Sequence, residues 1–274
     1  MKRVYLHWTD DEIEYLKQNY GLVERDELVS SLRNRNYSAI VKKAKVLGVK
    51  HCKFACKKSK LEILLEDNPI TYYWIGFLMA DGCFTDRRIP LGVVTKDLEH
   101  LQRFLSYIDS TNSICAVTGN YHRVTITNIS IVQQIREKFG ISSKKTYEPR
   151  QIQKLPKNDL LFSLIVGFID GDGSITKNKT FQKCHRLCVV GHSSWLKNFV
   201  FMSQFLHQHL GFDQPKRPAY IREVCVCFPQ NENKTTHQLS TFYINRKQIL
   251  FKIKALADNL GLPYLQRKLG KIHC

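Results

Sequence analysis

Residues 165–173 read IVGFIDGDG, and residues 74–82 read WIGFLMADG. Both stretches carry glycine at the third position, phenylalanine at the fourth and an Asp-Gly pair at the end. The closing aspartates, Asp81 and Asp172, lie 91 residues apart. A period of that length exceeds the repeat unit of a solenoid, so it indicates two duplicated half-domains in one chain.

The composition of the whole chain is strongly basic. It has 274 residues, with 42 Lys and Arg against 24 Asp and Glu, which gives a net charge of +18. Such a surplus is typical of a protein that binds a polyanion, most often nucleic acid, although a merely basic protein is the alternative. The longest apolar runs, at residues 72–80 and 160–169, are too short to span a bilayer. We therefore predict a nucleic-acid partner and no membrane.

The cysteines are nine in number and show no even ladder of spacings. The opening MKRVYLHWTDDE lacks the apolar segment of a signal peptide. We expect reduced thiols in an intracellular protein, either cytoplasmic or organellar. Residues 51–56 and 184–192 hold Cys and His that could suggest zinc. Without a paired C-x2-C spacing, buried thiols packed as small hydrophobes are the favoured interpretation.

The doubled motif resembles that of the LAGLIDADG homing endonucleases, in their single-chain, two-repeat form. The resemblance implies an α+β fold of two pseudo-symmetric αββαββα repeats, whose antiparallel sheets form a saddle for DNA. Alternating helical and strand-like patterns follow each motif in that order. Residues 61–156 are therefore assigned to the first repeat and residues 157–274 to the second. The first copy departs from the family motif, because it has Met79 where the second has Asp170.

Each motif is predicted to be a helix that ends at its aspartate, the first over residues 70–81. Gly82 follows as a left-handed helix stop. Gly76 and Ala80 are four residues apart, as are Gly167 and Gly171, so each helix has a stripe of small residues on one face. Two such faces can pack with their backbones close together.

A close pair of such helices would bring Asp81 and Asp172 together at two C-terminal ends. A helix C-terminus already carries partial negative charge, so the two carboxylates would repel each other strongly. A hard divalent cation with oxygen ligands relieves that repulsion. We predict Mg²⁺ or Mn²⁺ bound by these carboxylates, with help from the backbone carbonyls of Ala80 and Gly171. Glycine-stopped core helices with aspartate caps are the alternative.

Basic residues follow the last predicted helix of each repeat, Lys144 and Lys145 in the first and Arg267 and Lys268 in the second. The resemblance implies that a basic residue at this place approaches the active site and assists charge stabilisation or water activation. Lys145 and Lys268 are the predicted residues, with Lys144 close behind.

The predicted strands alternate apolar and polar residues, so one face can pack on helices while the other meets solvent or a ligand. Arginine and lysine on that second face favour DNA over an ordinary half-exposed sheet. The candidates are Arg87, Arg88, Lys96 and Arg123 in the first repeat and Lys177, Lys179, Lys183, Arg186 and Arg222 in the second.

Residues 1–50 are predicted to form a small all-α domain of three helices, the first capped by Thr9 with Glu12 at the capping-box position. The pattern A-I-x-x-K-A-x-x-L-G in the third helix resembles Myb-like or helix-turn-helix domains, whose third helix enters the major groove. Residues 51–60 follow as a basic linker. A helical bundle with a solvated lysine face is the alternative. The residues predicted to face DNA here are Ser38, Lys42, Lys43 and Lys45.

Together these features predict a site-specific homing endonuclease, encoded by an intron or free-standing. It would make a metal-dependent double-strand break by phosphodiester hydrolysis in a long asymmetric DNA target. Two repeats in one chain allow a non-palindromic target without dimerisation, so a monomer is expected. Two alternatives stay open on the same scaffold: a DNA-binding regulator that does not cleave, and an RNA-splicing maturase.

Overall fold

The computed structural model describes residues 7–20, 23, 25–32, 35–49, 59–149, 151–156, 158–177, 185–227 and 234–272. Residues 25, 26, 177, 185, 224–227 and 234–237 among these are described by their backbone alone. The chain divides into two compact units, Met1–Ser59 and Lys60–Cys274. Each unit is described by itself.

The described part of the first unit contains the helices α1 Asp10–Asn19, α2 Arg25–Ser31 and α3 Tyr37–Val46. The predicted capping box opens α1: Thr9 N donates to the Glu12 carboxylate at 2.9 Å, and Glu12 N donates to the Thr9 hydroxyl at 3.2 Å. Leu16, Ile40 and Ala44 are fully buried between the helices. Periodic apolar residues therefore form the small core that the sequence predicts.

The second unit contains two helix-and-sheet halves. Its described helices are α4 Pro69–Asp81, α5 Leu98–Tyr107, α6 Ile129–Phe139, α7 Asp159–Asp172, α8 Leu196–His209 and α9 Lys247–Asn259. Its described strands are β1 Arg88–Val94, β2 Cys115–Thr118, β3 Tyr121–Thr127, β4 Gly173–Lys177, β5 His185–His192, β6 Tyr220–Cys227 and β7 Lys234–Ile244. The sheets have the strand orders β1-β3-β2 and β4-β5-β7-β6, and all their pairs are antiparallel. The predicted α+β fold is confirmed.

The two halves differ in their first strand. The second half has the full order αββαββα, whereas residues 83–87 of the first half do not form a regular strand. The Thr85 hydroxyl accepts from the backbone N–H of Arg88 at 3.1 Å, and Thr85 N donates to Arg88 O at 3.0 Å. Cys83 N also donates to Pro90 O at 2.8 Å, so residues 82–85 run antiparallel to residues 88–91 as a short hairpin. Gly82 and Leu91 form a bridge in the same register, so the predicted strand is present only as this short, irregular segment.

Helices α4 and α7 form the centre of the unit, with residues 71–80 and 161–170 all buried. A methyl group on Gly76 would collide with the carbonyl oxygen of Leu164, and one on Gly167 would collide with that of Tyr73. A side chain on the glycine of either helix would therefore collide with the backbone of the other helix. The predicted close packing of two small-residue faces is confirmed.

The predicted left-handed stop at Gly82 is wrong. Its φ is −79°, which is ordinary extended backbone, and the equivalent Gly173 has φ −83°. Both glycines are instead required by close approach, because a methyl group would press on the carbonyl oxygens of Leu78 and Ile169. In the described part of the chain, no helix is both long and apolar enough to cross a membrane.

Candidate active site

The two motif aspartates are the last residues of the two central helices. Asp81 ends α4 and Asp172 ends α7, and both are exposed. A methyl group built on Gly171 would touch the side chain of Ala80 and would lie 3.4 Å from Asp81 Cγ. The carboxyl group of Asp81 therefore lies beside the end of α7, immediately before Asp172.

The negative charge of Asp172 acts on the carboxyl group of Asp81. Removal from water raises the pKa of Asp81 to about 6, and the negative charge of Asp172 contributes to that rise. Removal from water also raises the pKa of Asp172, with Lys145 and Lys268 opposing the rise. Each carboxyl group is thus crowded by protein atoms while one side stays open to solvent. This is the environment that the sequence predicts for a cation site.

Both predicted lysines reach the ends of the motif helices. Lys145 Nζ donates to Met79 O at 2.5 Å and to Ala80 O at 2.6 Å. Lys268 Nζ donates to Gly171 O at 2.9 Å and also to Asp170 O. Each ammonium group therefore caps the motif helix of its own repeat, where cations interact favourably with the helix dipole.

Burial changes the acidity of these lysines. Lys268 is 5% exposed and Lys145 is half-buried. Removal from water lowers the pKa of each ammonium group, while neighbouring aspartates oppose that change. A lysine with a lowered pKa gives up its proton more readily than a solvated one, which favours proton transfer.

The donor set for a divalent cation is partly as predicted. Asp81 and Asp172 supply adjacent hard oxygens with raised pKa values, so they fit such an ion. The carbonyl oxygens of Ala80 and Gly171 already accept from ammonium groups, so they are the weaker half of the predicted set. No group of three His, Cys, Asp or Glu side chains suited to a metal occurs among the described residues. Water or phosphate oxygens would have to complete the coordination.

Most of the Cys and His residues that could suggest zinc are not described by the structure. Residues 51–56 and 184 are outside the described part of the chain, and Cys188 is a free, partly exposed thiol on β5.

Asp170 lies two residues before Asp172, and its surroundings were not predicted from the sequence. It is 1% exposed, and its Oδ2 accepts from the Tyr73 hydroxyl at 2.7 Å and from Leu265 N at 2.8 Å. His100 Nε2 lies 2.9 Å from the same hydroxyl. Because the hydroxyl gives its one hydrogen to Asp170, the imidazole must donate at Nε2. In the sequence, the only indication of this network is that the first motif has Met79 where the second has Asp170.

Burial also sets the protonation in this network. It lowers the pKa of His100 to about 3, which keeps the imidazole neutral. It raises the pKa of Asp170 to about 6, although the bonds from Tyr73 and Leu265 oppose the rise. The other carboxylate oxygen of Asp170 and Nδ1 of His100 are buried without a hydrogen-bond partner. The network is therefore only partly satisfied.

A cavity of about 240 Å³ adjoins Lys145 of the first repeat. Its lining includes Lys145, Asp172, His192 and Trp195. His192 ends β5, and its Nδ1 accepts from Ser194 N at 3.3 Å. The sequence marked His192 only as a member of a possible zinc cluster, because its place beside Lys145 depends on how the two repeats pack.

The predicted DNA-facing residues of the first repeat lie at one sheet face and its edges. Arg88 and Arg123 are exposed, and the β1–β3 register places them opposite Thr127 and Gly92 on the face away from the buried Ile89, Leu91 and Val93. Arg87 precedes β1 and Lys96 follows it, and both are exposed. These four residues are therefore accessible to a ligand.

In the second repeat, fewer of the predicted DNA-facing residues are described with their side chains. The Arg186 guanidinium lies 3.5 Å from the ring centroid of Tyr243, and Arg222 is exposed on β6. Lys177 is on β4 by its backbone, and Lys179 and Lys183 fall outside the described residues. Stacking on the tyrosine holds Arg186 in a defined orientation.

No protein-family model matches the sequence, and no curated protein matches it. Solved structures similar to this chain are LAGLIDADG homing endonucleases at low sequence identity. The LAGLIDADG meganuclease I-CpaMI bound to uncleaved DNA is 13% identical, with 73% of this chain and 88% of that chain covered and a TM-score of 0.48. The meganuclease I-SmaMI bound to uncleavable DNA with a TTCT central four is 14% identical, with 74% and 87% covered and a TM-score of 0.46. The LAGLIDADG homing endonuclease I-GzeII in complex with its DNA target is 14% identical, with 73% and 86% covered and a TM-score of 0.45.

The lysines of α3 in the first unit take different places. Lys42 and Lys45 are exposed, whereas Lys43 is partly buried with its ammonium 5.9 Å from the centroid of the Trp8 ring. Ser38 shares the exposed stripe with Lys42 and Lys45, since they are spaced i, i+4, i+7. Lys43 therefore belongs more to the fold of the first unit than to its outer face.

Proposed function

We propose that this chain is a metal-dependent DNA endonuclease that hydrolyses one phosphodiester bond in each strand of a long asymmetric duplex. The observation that carries the proposal is the meeting of Asp81 and Asp172 at the ends of two closely packed helices, each with a buried or half-buried lysine on its own last turn. If the two aspartates only capped their helices, no lysine would be required at the last turn of each helix.

Asp81 and Asp172 would hold Mg²⁺ or Mn²⁺, which when bound neutralises charge on phosphate oxygens and supports hydrolysis by water. The aspartates must be ionised to do so, and a pKa of about 6 for Asp81 leaves it ionised at neutral pH. Lys145 and Lys268 add fixed positive charge in a crowded site, where it stabilises developing negative charge more than it would in water.

The exposed basic faces would bind the duplex. Arg88 and Arg123 on the first sheet and Arg186 and Arg222 on the second provide contacts to phosphates and base edges. The outer stripe of α3, with Lys42 and Lys45, would extend the contact along the same DNA. The two repeats have different sheets in one chain, so a monomer could bind a target without two-fold symmetry.

Homing is the biological role that this activity would serve. The motif pair supports it through the family resemblance, and the natural substrate would be the DNA that flanks the reading frame of this protein. The regulator and maturase alternatives use the same basic faces but do not require both aspartates and both lysines to converge.

The test is cleavage of that flanking DNA in Mg²⁺, in Mn²⁺ and with a chelator. Asp81→Asn and Asp172→Asn should bind the duplex with affinity near that of the wild type and cut it at least about 100-fold more slowly. Arg88→Ala is the matched control, since it should weaken binding and its salt dependence without abolishing the chemical step. Wild-type protein that binds but never cuts would favour the regulator, and preference for folded intron RNA would favour the maturase.

A further inference from the structure

We propose that Asp97 and Trp195 are positioning residues, each of which holds the active-site lysine of the opposite repeat in place. The inference rests on the proposed function, since the lysines matter only if the site performs chemistry. It goes further in naming which residues hold the lysines and in expecting each of them to affect a different DNA strand.

Asp97 and Trp195 occupy equivalent places in the two repeats. A 3₁₀ turn, Thr95–Asp97, joins β1 to α5 in the first repeat, and the turn Ser193–Trp195 joins β5 to α8 in the second. Each proposed residue is the last of its turn. Both are nearly buried, at 6% exposure for Asp97 and 5% for Trp195. The same place therefore carries different chemistry in the two repeats.

Asp97 holds the segment that carries Lys268. Both of its carboxylate oxygens accept from the guanidinium of Arg267, one from Nε and the other from Nη2. Arg267 immediately precedes Lys268. A bidentate pair fixes the plane of a guanidinium as well as its distance, so it restrains the adjacent backbone. The anchor of this lysine is thus an ion pair contributed by the first repeat.

Trp195 holds the segment that carries Lys145. Its indole Nε1 donates to Lys145 O at 3.0 Å, and the hydroxyl of Ser194 donates to Thr146 O at 2.8 Å. Two successive carbonyl groups are therefore bound by two successive residues of the second repeat. The anchor of this lysine is neutral, in contrast to the ion pair that serves Lys268.

These anchors decide where the two ammonium groups lie. A lysine side chain is long and flexible, so the position of its ammonium group depends on where the backbone is held. Lys145 Nζ must stay within 2.6 Å of Ala80 O, and Lys268 Nζ within 2.9 Å of Gly171 O, to remain beside the aspartates. A displacement of about 1 Å at a reacting centre can reduce the rate about 100-fold. Loss of one anchor should therefore slow the cutting of one strand more than the other.

The experiment uses full-length protein with a duplex target labelled differently on its two strands. Asp97→Asn keeps the shape of the side chain but removes its charge. Trp195→Phe removes the indole N–H and keeps an aromatic ring against Phe168 and Phe199. Each variant should accumulate nicked DNA, with the slow strand cut about 10- to 100-fold more slowly, and the slow strand should be opposite in the two variants. Glu99→Gln is the matched control, because it breaks an exposed ion pair to Arg103 two residues beyond Asp97 and should leave the strand ratio unchanged.

A second measurement separates anchoring from cleavage. The reactivity of individual lysines toward an amine-acylating reagent, read by mass spectrometry, should rise at Lys268 alone in Asp97→Asn and at Lys145 alone in Trp195→Phe. If the wild type never cuts DNA, the proposed function fails and this reactivity pattern alone decides the inference. If the wild type cuts and both variants slow the two strands equally, or if neither lysine changes its reactivity, the inference is overturned.

Discussion

The hydroxyl of Tyr73 donates a hydrogen bond of 2.7 Å to the carboxylate of Asp170, across the interface between α4 and α7. The repeat offset that relates Asp81 to Asp172 relates Tyr73 to Leu164 and Met79 to Asp170. A polar pair on one side of the pseudo-two-fold axis is thus matched by two apolar residues on the other. This explains why one motif copy has methionine at its sixth position.

Removal of the Tyr73 hydroxyl should destabilise the protein. In Tyr73→Phe the buried carboxylate keeps only Leu265 N on its Oδ2 and His100 Nε2 loses its acceptor, which should cost about 1–3 kcal/mol of the free energy of unfolding. Denaturant unfolding at pH 7.5 measures it. Tyr72→Phe is the control, because that hydroxyl bonds to the exposed Asp67 and should cost less. Equal losses in both variants would contradict the network.

The stability difference between Asp170→Asn and the wild type should depend on pH. The folded-state pKa of Asp170, about 6, is raised above its ordinary value of 3.8. The stabilising effect of that shift is therefore complete below about pH 4 and is lost as the pH rises through 6. Asparagine does not titrate, so the melting temperature of the variant relative to wild type should improve by several degrees between pH 4.5 and 7.5. A constant difference over that range would show that Asp170 does not titrate there.

An added methyl group between the two central helices should be strongly destabilising. Gly76→Ala or Gly167→Ala would place Cβ against a backbone carbonyl that cannot rotate away, at a cost of about 3 kcal/mol or more. Thermal unfolding measures this loss. Gly119→Ala is the control: it adds the same methyl where nothing lies within 4 Å, so it should cost only the left-handed backbone strain of about 1 kcal/mol. A Gly76→Ala protein as stable as Gly119→Ala would contradict the close packing.

Binding of a divalent cation should weaken as the pH falls. Asp81 must lose its proton to bind the ion, and its pKa is about 6 in the metal-free protein. The concentration of Mn²⁺ that half-saturates a rise in melting temperature should therefore increase by up to about 10-fold per pH unit below 6. Asp81→Asn should lose most of the effect at pH 7.5. An equal Mn²⁺ response of that variant and the wild type would place the ion elsewhere.

The local features of this protein could be predicted from the sequence. The Thr9 capping box and the two motif helices depend on short-range patterns, and the structure has both. The approach of Lys145 and Lys268 to these helices was expected from the family resemblance alone. The conformation of Gly82 could not be predicted, since the same glycine serves either a left-handed stop or a close approach. The strand-like pattern before β1 did not predict how short and irregular the pairing of residues 82–85 with residues 88–91 is.

The non-local relationships could not be predicted. Tyr73 and Asp170 are 97 positions apart, and Asp97 and Arg267 are 170 apart. Finding such partners requires the register of two packed helices and the path of the segment after α9. Neither follows from periodicity or composition.

The two halves of the second unit cannot replace each other, because Tyr73 and Asp170 at the centre of the α4–α7 interface correspond to Leu164 and Met79 in the other half. A symmetric assembly of two second halves would bury two Asp170 carboxylates with leucines in place of Tyr73. An assembly of two first halves would bury two Tyr73 hydroxyls opposite methionines. The first assembly would leave each buried carboxylate without the hydrogen bond from Tyr73, which opposes its formation, whereas in the second each hydroxyl would keep His100 as its partner. If the chain were divided between the repeats, the second-half fragment should therefore pair with the first-half fragment in preference to a second copy of itself.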